Sequence, residues 1–135
     1  MKNYISVAIL AALLLTSCAN EFNKVYKTSD YSYKYEYAKE CFAKGKYVRA
    51  STLLQGLVTM QKGTDNAQES LYMLGMAEYN SKEYDGAAAT FKKYFASYPK
   101  GTYAENAEYY VGMSLYNLTP EPRLDQAQRV DAISA

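Results

Sequence analysis

Past residue 32, apolar side chains recur at spacings of three and four almost without interruption. That spacing belongs to helices that bury one stripe. Glycine and proline cut the pattern into segments. It predicts a helix over 33–44, stopped by Gly45, and an antiparallel partner over 47–61, stopped by Gly63. Asp65, with Asn66 beside it, is the expected N-cap of a helix reaching about Ser81. A helix over 84–97 pairs with it. Thr102 is the expected cap of the next, which ends near Asn117 before the Thr119-Pro120-Glu121-Pro122 break. A last helix starts near Leu124. No period-two alternation competes, so the expected fold class is all-α.

The segments also repeat. Shifting the chain by 37 residues aligns Tyr35, Tyr72 and Tyr109; Ala38, Gly75 and Gly112; and Phe42, Tyr79 and Tyr116. Tyr47 then meets Tyr84, Ala50 meets Ala87, Leu54 meets Phe91 and Leu57 meets Tyr94. One unit is especially clear: Leu74-Gly75, then Ala87 and Phe91 four apart, then Pro99. This resembles the tetratricopeptide repeat, a helical hairpin whose pattern is W-x2-L-G-x2-Y, A-x3-F, P. Leu71 stands at the tryptophan position and Glu78 at the tyrosine position. The usual period is about 34, and the extra residues are expected in the inter-repeat turn around Lys100-Gly101-Thr102. The expected architecture is a solenoid of about two and a half repeats, near 33–63, 66–101 and an incomplete 103–135. The ending suggests truncation or completion by a partner, because nothing visible covers Val130 and Ile133.

Packing explains the aligned types. Ala38, Gly75, Gly112, Ala50 and Ala87 are expected where two helices cross closely. Leu74 and Phe91 fill the space between repeats, and Pro99 ends its helix. Tyr35 and Phe42, Tyr72 and Tyr79, and Tyr109 and Tyr116 are each seven apart, which puts each pair on one helix stripe. Such a stripe is either internal packing or a row of aromatic anchors for a peptide.

The N-terminus has a different character. Lys2 precedes an apolar run from Ile5 to Leu15, too short for a bilayer span of about 20 residues. It fits the core of a secretory signal. The run closes in Leu15-Thr16-Ser17-Cys18. This resembles a bacterial lipobox, in which the cysteine thiol receives a diacylglyceryl group and the signal is cut before it. Residues 1–17 are therefore expected to be a lipoprotein signal peptide and 18–32 a lipid-anchored tether, with 33–135 as the repeat domain. Several acyl chains make such anchoring stable. By resemblance to the best-studied bacteria, Ala19 after the cysteine, rather than Asp, suggests the outer membrane.

Composition narrows the function classes. Lys and Arg number 15 against 14 Asp and Glu, a net charge of +1. That balance lacks the basic stripe of a nucleic-acid binder. There is no histidine, the commonest general base and metal ligand, and no glycine-rich phosphate loop or serine elbow. Neither a metal nor a cofactor is expected. Glu36 with Glu40, and Glu105 with Glu108, pair carboxylates on helix faces, but Lys39 and Lys44 make a solvated surface the better reading. Cys41 would have no disulfide partner if Cys18 is acylated, and a half-buried packing role fits it best. Tyrosine is abundant, at sixteen residues against four Phe and no Trp.

Tyr37-Ala38 before Gly45-Lys46-Tyr47, the run Tyr98-Pro99-Lys100-Gly101-Thr102-Tyr103-Ala104-Glu105, and Ser114-Leu115-Tyr116 leading to Pro120-Glu121-Pro122-Arg123-Leu124-Asp125-Gln126 carry a closer likeness. Residues 33–126 resemble the N-terminal half of the BamD (ComL) family, lipoproteins of the machinery that inserts β-barrels into the bacterial outer membrane. The resemblance implies a non-catalytic, periplasm-facing scaffold on that membrane. It implies binding to the barrel-forming subunit BamA and to unfolded barrel precursors. The alternative is another periplasmic repeat lipoprotein, serving cell-wall coordination or glycan binding. Changing Cys18→Ser is expected to leave an unlipidated, mislocalised precursor, read by intact-protein mass and membrane fractionation.

Overall fold

The computed structural model describes residues 20–64, 66–119 and 127–134. Among these residues the only regular elements are helices: α1 over 20–27, α2 Tyr31–Ala43, α3 Tyr47–Met60, α4 Ala67–Asn80, α5 Tyr84–Ser97, α6 Ala104–Leu118 and α7 Ala127–Ser134. From α2 onward each helix packs chiefly on its neighbours in sequence. The fold is an all-α stack of helical hairpins, as the tetratricopeptide-like pattern predicts. Cys18 and the expected signal segment, 1–17, lie outside the described residues, as do Asp65 and the Pro120–Gln126 stretch.

The turns copy one another across the 37-residue shift. In the first hairpin the Gly45 and Lys46 amides donate to the Phe42 and Cys41 carbonyls at 3.0 and 2.8 Å. In the second, Lys82 and Glu83 donate to Tyr79 and Glu78 at 3.0 and 2.9 Å. Both motifs need a residue in the left-handed region, and φ is +71° at Gly45 and +67° at Lys82. Glycine takes that conformation without cost, whereas a lysine Cβ is crowded there. The inter-repeat turns match equally well. Thr64 and Gly101 each donate three residues back, to Gln61 and Tyr98, and accept from Ala67 and Ala104. Both inter-repeat turns are therefore the same tight, hydrogen-bonded turn.

The third unit departs from the pattern. Thr119, in register with Lys82, has φ −67° and ψ 116°, so the hairpin turn is not repeated. By register, Gln128 and Asp131 stand where α5 has Phe91 and Tyr94. The apolar stripe of α5 has no counterpart on α7, and Val130 and Ile133 are exposed.

Buried apolar residues line every α2–α6 interface, with Leu53, Leu54, Leu57, Phe91 and Tyr94 fully enclosed. Burying Phe91 alone is worth about 1.5–3 kcal/mol. Its ring lies on Gly75, where an added Cβ would meet three ring carbons at 2.7 to 2.9 Å. Ala38, Ala50 and Ala87 have no accessible surface, and Leu74 is buried. Pro99 follows the end of α5 at Ser97, with Tyr98 between them.

Four expectations need correction. The segment 18–32 is not all tether, because 20–27 is helical and Val25 is buried in the core. Gly112 is not pinched: a Cβ there would meet only the Ala132 carbonyl at 3.6 Å, an ordinary contact. Thr102 does not cap α6. The N-cap position is Tyr103, while the Thr102 amide donates to the Gln68 side chain at 2.8 Å. Cys41 is also more enclosed than half-buried. Burial raises its thiol pKa despite nearby Lys46 and Arg49, which keeps it unreactive. Lys82→Gly is expected to stabilise the protein by about 1 kcal/mol, since a left-handed non-glycine residue carries a cost of that order; chemical denaturation monitored by circular dichroism checks it.

Candidate binding surface

The six aromatic residues on the first helices of the repeats do not form one open row. Tyr35, on α2, is buried. Burial, with the Glu69 and Glu36 carboxylates nearby, raises its phenol pKa. Phe42, on the same helix, packs edge-on against Tyr47 at 5.3 Å. The matching pair in the second repeat, Tyr79 and Tyr84, has the same arrangement at 5.4 Å.

On α4 the stripe is roofed by the next repeat. Tyr72 stacks on Tyr103 with ring centres 4.4 Å apart and planes 7° from parallel. Its edges meet Phe91 and Tyr94. Tyr79 meets Tyr110 at 5.0 Å, and Tyr110 stacks on Phe91 at 5.4 Å. The Asn117 amide donates to the Tyr79 hydroxyl at 3.3 Å. Four aromatic residues of α4 and α5 thus meet two contributed by α6 and its N-cap. Offset and edge-on ring pairs add about 0.5–1.5 kcal/mol each beyond area burial.

On α6 the same stripe stays open. Tyr109 is 60 % exposed and Tyr116 56 %. Met113 lies between them, one turn from each, so the three residues share a face. The 37-residue shift maps this triplet onto Tyr72, Met76 and Tyr79 of α4. Sequence reasoning found the tyrosines but passed over both methionines, although methionine repeating at the same register was a readable signal.

A second feature is a polar network at the inter-repeat turn. The Tyr94 hydroxyl donates to the Gln68 side-chain oxygen at 2.5 Å and accepts from the Tyr103 amide at 3.1 Å. Gln68 also receives the Thr102 amide. Gly101 is wedged against this network: an added Cβ would lie 2.5 Å from the Gln68 oxygen and 2.7 Å from the Tyr94 hydroxyl oxygen. The inter-repeat turn is therefore held by polar contacts that a Cβ at residue 101 would displace. In the first repeat Leu57 replaces Tyr94, and Thr64 is accepted where Gly101 sits.

The electrostatics are quiet except at one point. Glu36 pairs with Lys39 at 3.3 Å and Glu40 with Lys44, all on the surface of α2. Glu78 is different. It is buried, its carboxyl group lies over Gly86, and its Oε2 has no hydrogen-bond partner among the described residues. Burial raises its pKa, while Thr90 and Gln55 beside it pull the other way. The first and third repeats place Cys41 and Leu115 in this register, both uncharged at neutral pH. Among the described residues no group of His, Cys, Asp and Glu could hold a metal.

The comparisons with known proteins fit this architecture. A family described as outer membrane lipoprotein, YfiO, matches residues 27–135. The chain belongs to that family. A relative in Aquifex aeolicus (strain VF5), assigned as the outer membrane protein assembly factor BamD, is 28 % identical over 134 residues. The match covers 95 % of this chain and 42 % of the relative, so the chain spans less than half the relative's length.

Because the folded-state pKa of Glu78 is raised, protonation favours the folded state. Stability is expected to be greatest at and below the ordinary glutamate range and to fall as pH rises from there through the folded pKa. Glu78→Gln should flatten that slope; urea midpoints measured across mildly acidic to neutral pH check it.

Proposed function

We propose that this chain is a lipid-anchored scaffold for outer-membrane protein assembly, facing the periplasm. In this reading it binds a BamA-like barrel subunit and unfolded β-barrel precursors through helix faces, without catalysis. The family match supports the cellular setting, and the name of the Aquifex relative supports the assembly role. The observation that carries the binding role is the open Tyr109–Met113–Tyr116 face on α6. Its α4 counterpart is already a protein–protein contact, made within the chain. A surface chemically suited to packing against aromatic side chains is thus presented outward. Barrel precursors are rich in exposed apolar and aromatic residues while unfolded, and tyrosine and methionine accommodate varied apolar side chains. Cys18 acylation would hold the stack at the membrane where such precursors arrive.

Co-purification from solubilised outer membranes tests the partner. Recovery of a BamA-like subunit is expected; recovery of only cell-wall synthesis proteins would favour a cell-wall coordination role instead. The surface is tested with Tyr109→Ser/Tyr116→Ser. Both side chains are exposed, so helicity should be retained, while affinity for an unfolded barrel peptide should fall about tenfold or more. Unchanged peptide titration curves would remove this face from the reading.

A further inference from the structure

We propose that the edge formed by α1 and the start of α2 rests against the lipid headgroups around acylated Cys18. This contact sets the angle at which the helical stack leaves the bilayer. The inference rests on the anchoring reading above and adds an orientation to it.

Covalent reach comes first. Helix α1 is described from residue 20. Two peptide steps separate its first residue from Cys18, and they span at most about 7 Å. The folded part therefore begins at the anchor, not at the end of a long leash. Rigidity comes second. Val25 is buried in the core, and Phe22 packs against it with the Arg49 guanidinium 5.5 Å from its ring centre. The Lys34 ammonium donates to the Tyr26 carbonyl at 3.0 Å, tying the end of α1 to α2. Asp30 caps α2 by accepting from the Tyr33 amide at 3.0 Å. An anchor pulling on α1 consequently pulls on the whole first repeat.

Surface chemistry comes third. Tyr26 at the end of α1 and Tyr33 in the first turn of α2 are 53 and 50 % exposed; Tyr31 lies two positions before Tyr33 and so on the opposite side of α2. Tyrosine presents an apolar ring and a polar tip, which suits the headgroup level of a bilayer. Lys24 and Lys27 are exposed on α1 and have no partner among the described residues. Their stems reach along apolar surface while the ammonium meets lipid phosphate. Of the two acids on this edge, Asp30 is committed to its cap, which leaves Glu21. The other exposed tyrosine pair, on α6, is flanked by Glu105 and Glu108 with no basic residue on that helix. Basic-aromatic character marks the α1–α2 edge and not α6. No described helix is long and apolar enough to cross a membrane.

The absence of tryptophan gives a clean reporter. Lipidated Tyr33→Trp and Tyr116→Trp variants are placed in phosphatidylethanolamine/phosphatidylglycerol vesicles containing a lipid spin-labelled near the headgroup. The Tyr33→Trp indole is expected to lose about half its emission or more, as an interfacial ring should, and the Tyr116→Trp indole very little. Adding Lys24→Glu/Lys27→Glu to the first variant should restore its emission while the protein still floats with the vesicles. Flotation with equal emission from both reporters overturns the edge contact alone. Failure of the lipidated preparation to float overturns the anchoring reading and this proposal with it. A doubled sedimentation mass, with the Tyr33→Trp emission blue-shifted before vesicles are added, overturns it in favour of pairing with a second copy.

Discussion

The fold depends on the close approach of α4 and α5 at Gly75 and Phe91. A helical hairpin has two apolar faces and can satisfy only one of them internally. With no side chain at Gly75, the Phe91 ring settles on the α4 backbone. From there it meets Tyr72 of α4 and Tyr110 of α6. One ring therefore closes its own hairpin and supplies the surface on which the next is laid. Any Cβ at residue 75 would displace that ring and the contacts on both sides.

The turns turn this local contact into a repeating one. The matched hydrogen bonds around Gly45 and Lys82, and again around Thr64 and Gly101, fix how far and in which direction each helix is offset from the last. Side chains set the spacing between helices and the backbone of the turns sets the register. At Lys82 that register is kept despite an unfavourable φ. The hairpin geometry thus outweighs the local preference of the residue.

Much of this was legible because it is periodic. The helix α5 begins and ends at the expected residues, Tyr84 and Ser97, and α3 and α4 lie within a residue or two of expectation. What lay hidden does not repeat. Helix α1 docks through one fully buried apolar residue, Val25, too little for a periodic signal. The Tyr94–Gln68–Thr102 network joins residues 26 and 34 positions apart through polar atoms, and no local pattern announces such a contact. The tyrosine stripe is a third case. Its register was plain, yet register cannot tell a ring roofed by a neighbour from one left bare. Only the position of α6 over α4 separates Tyr72 from Tyr109.

The parallel pair Tyr72 and Tyr103 has an optical consequence. Two phenol rings 4.4 Å apart, stacked with nearly parallel planes, are close enough for their electronic transitions to mix. In a chain without indoles, that coupling adds to a near-ultraviolet circular dichroism spectrum made by sixteen tyrosines and four phenylalanines. The part that belongs to the junction between the second and third repeats is the difference between that spectrum and the spectrum of Tyr103→Phe.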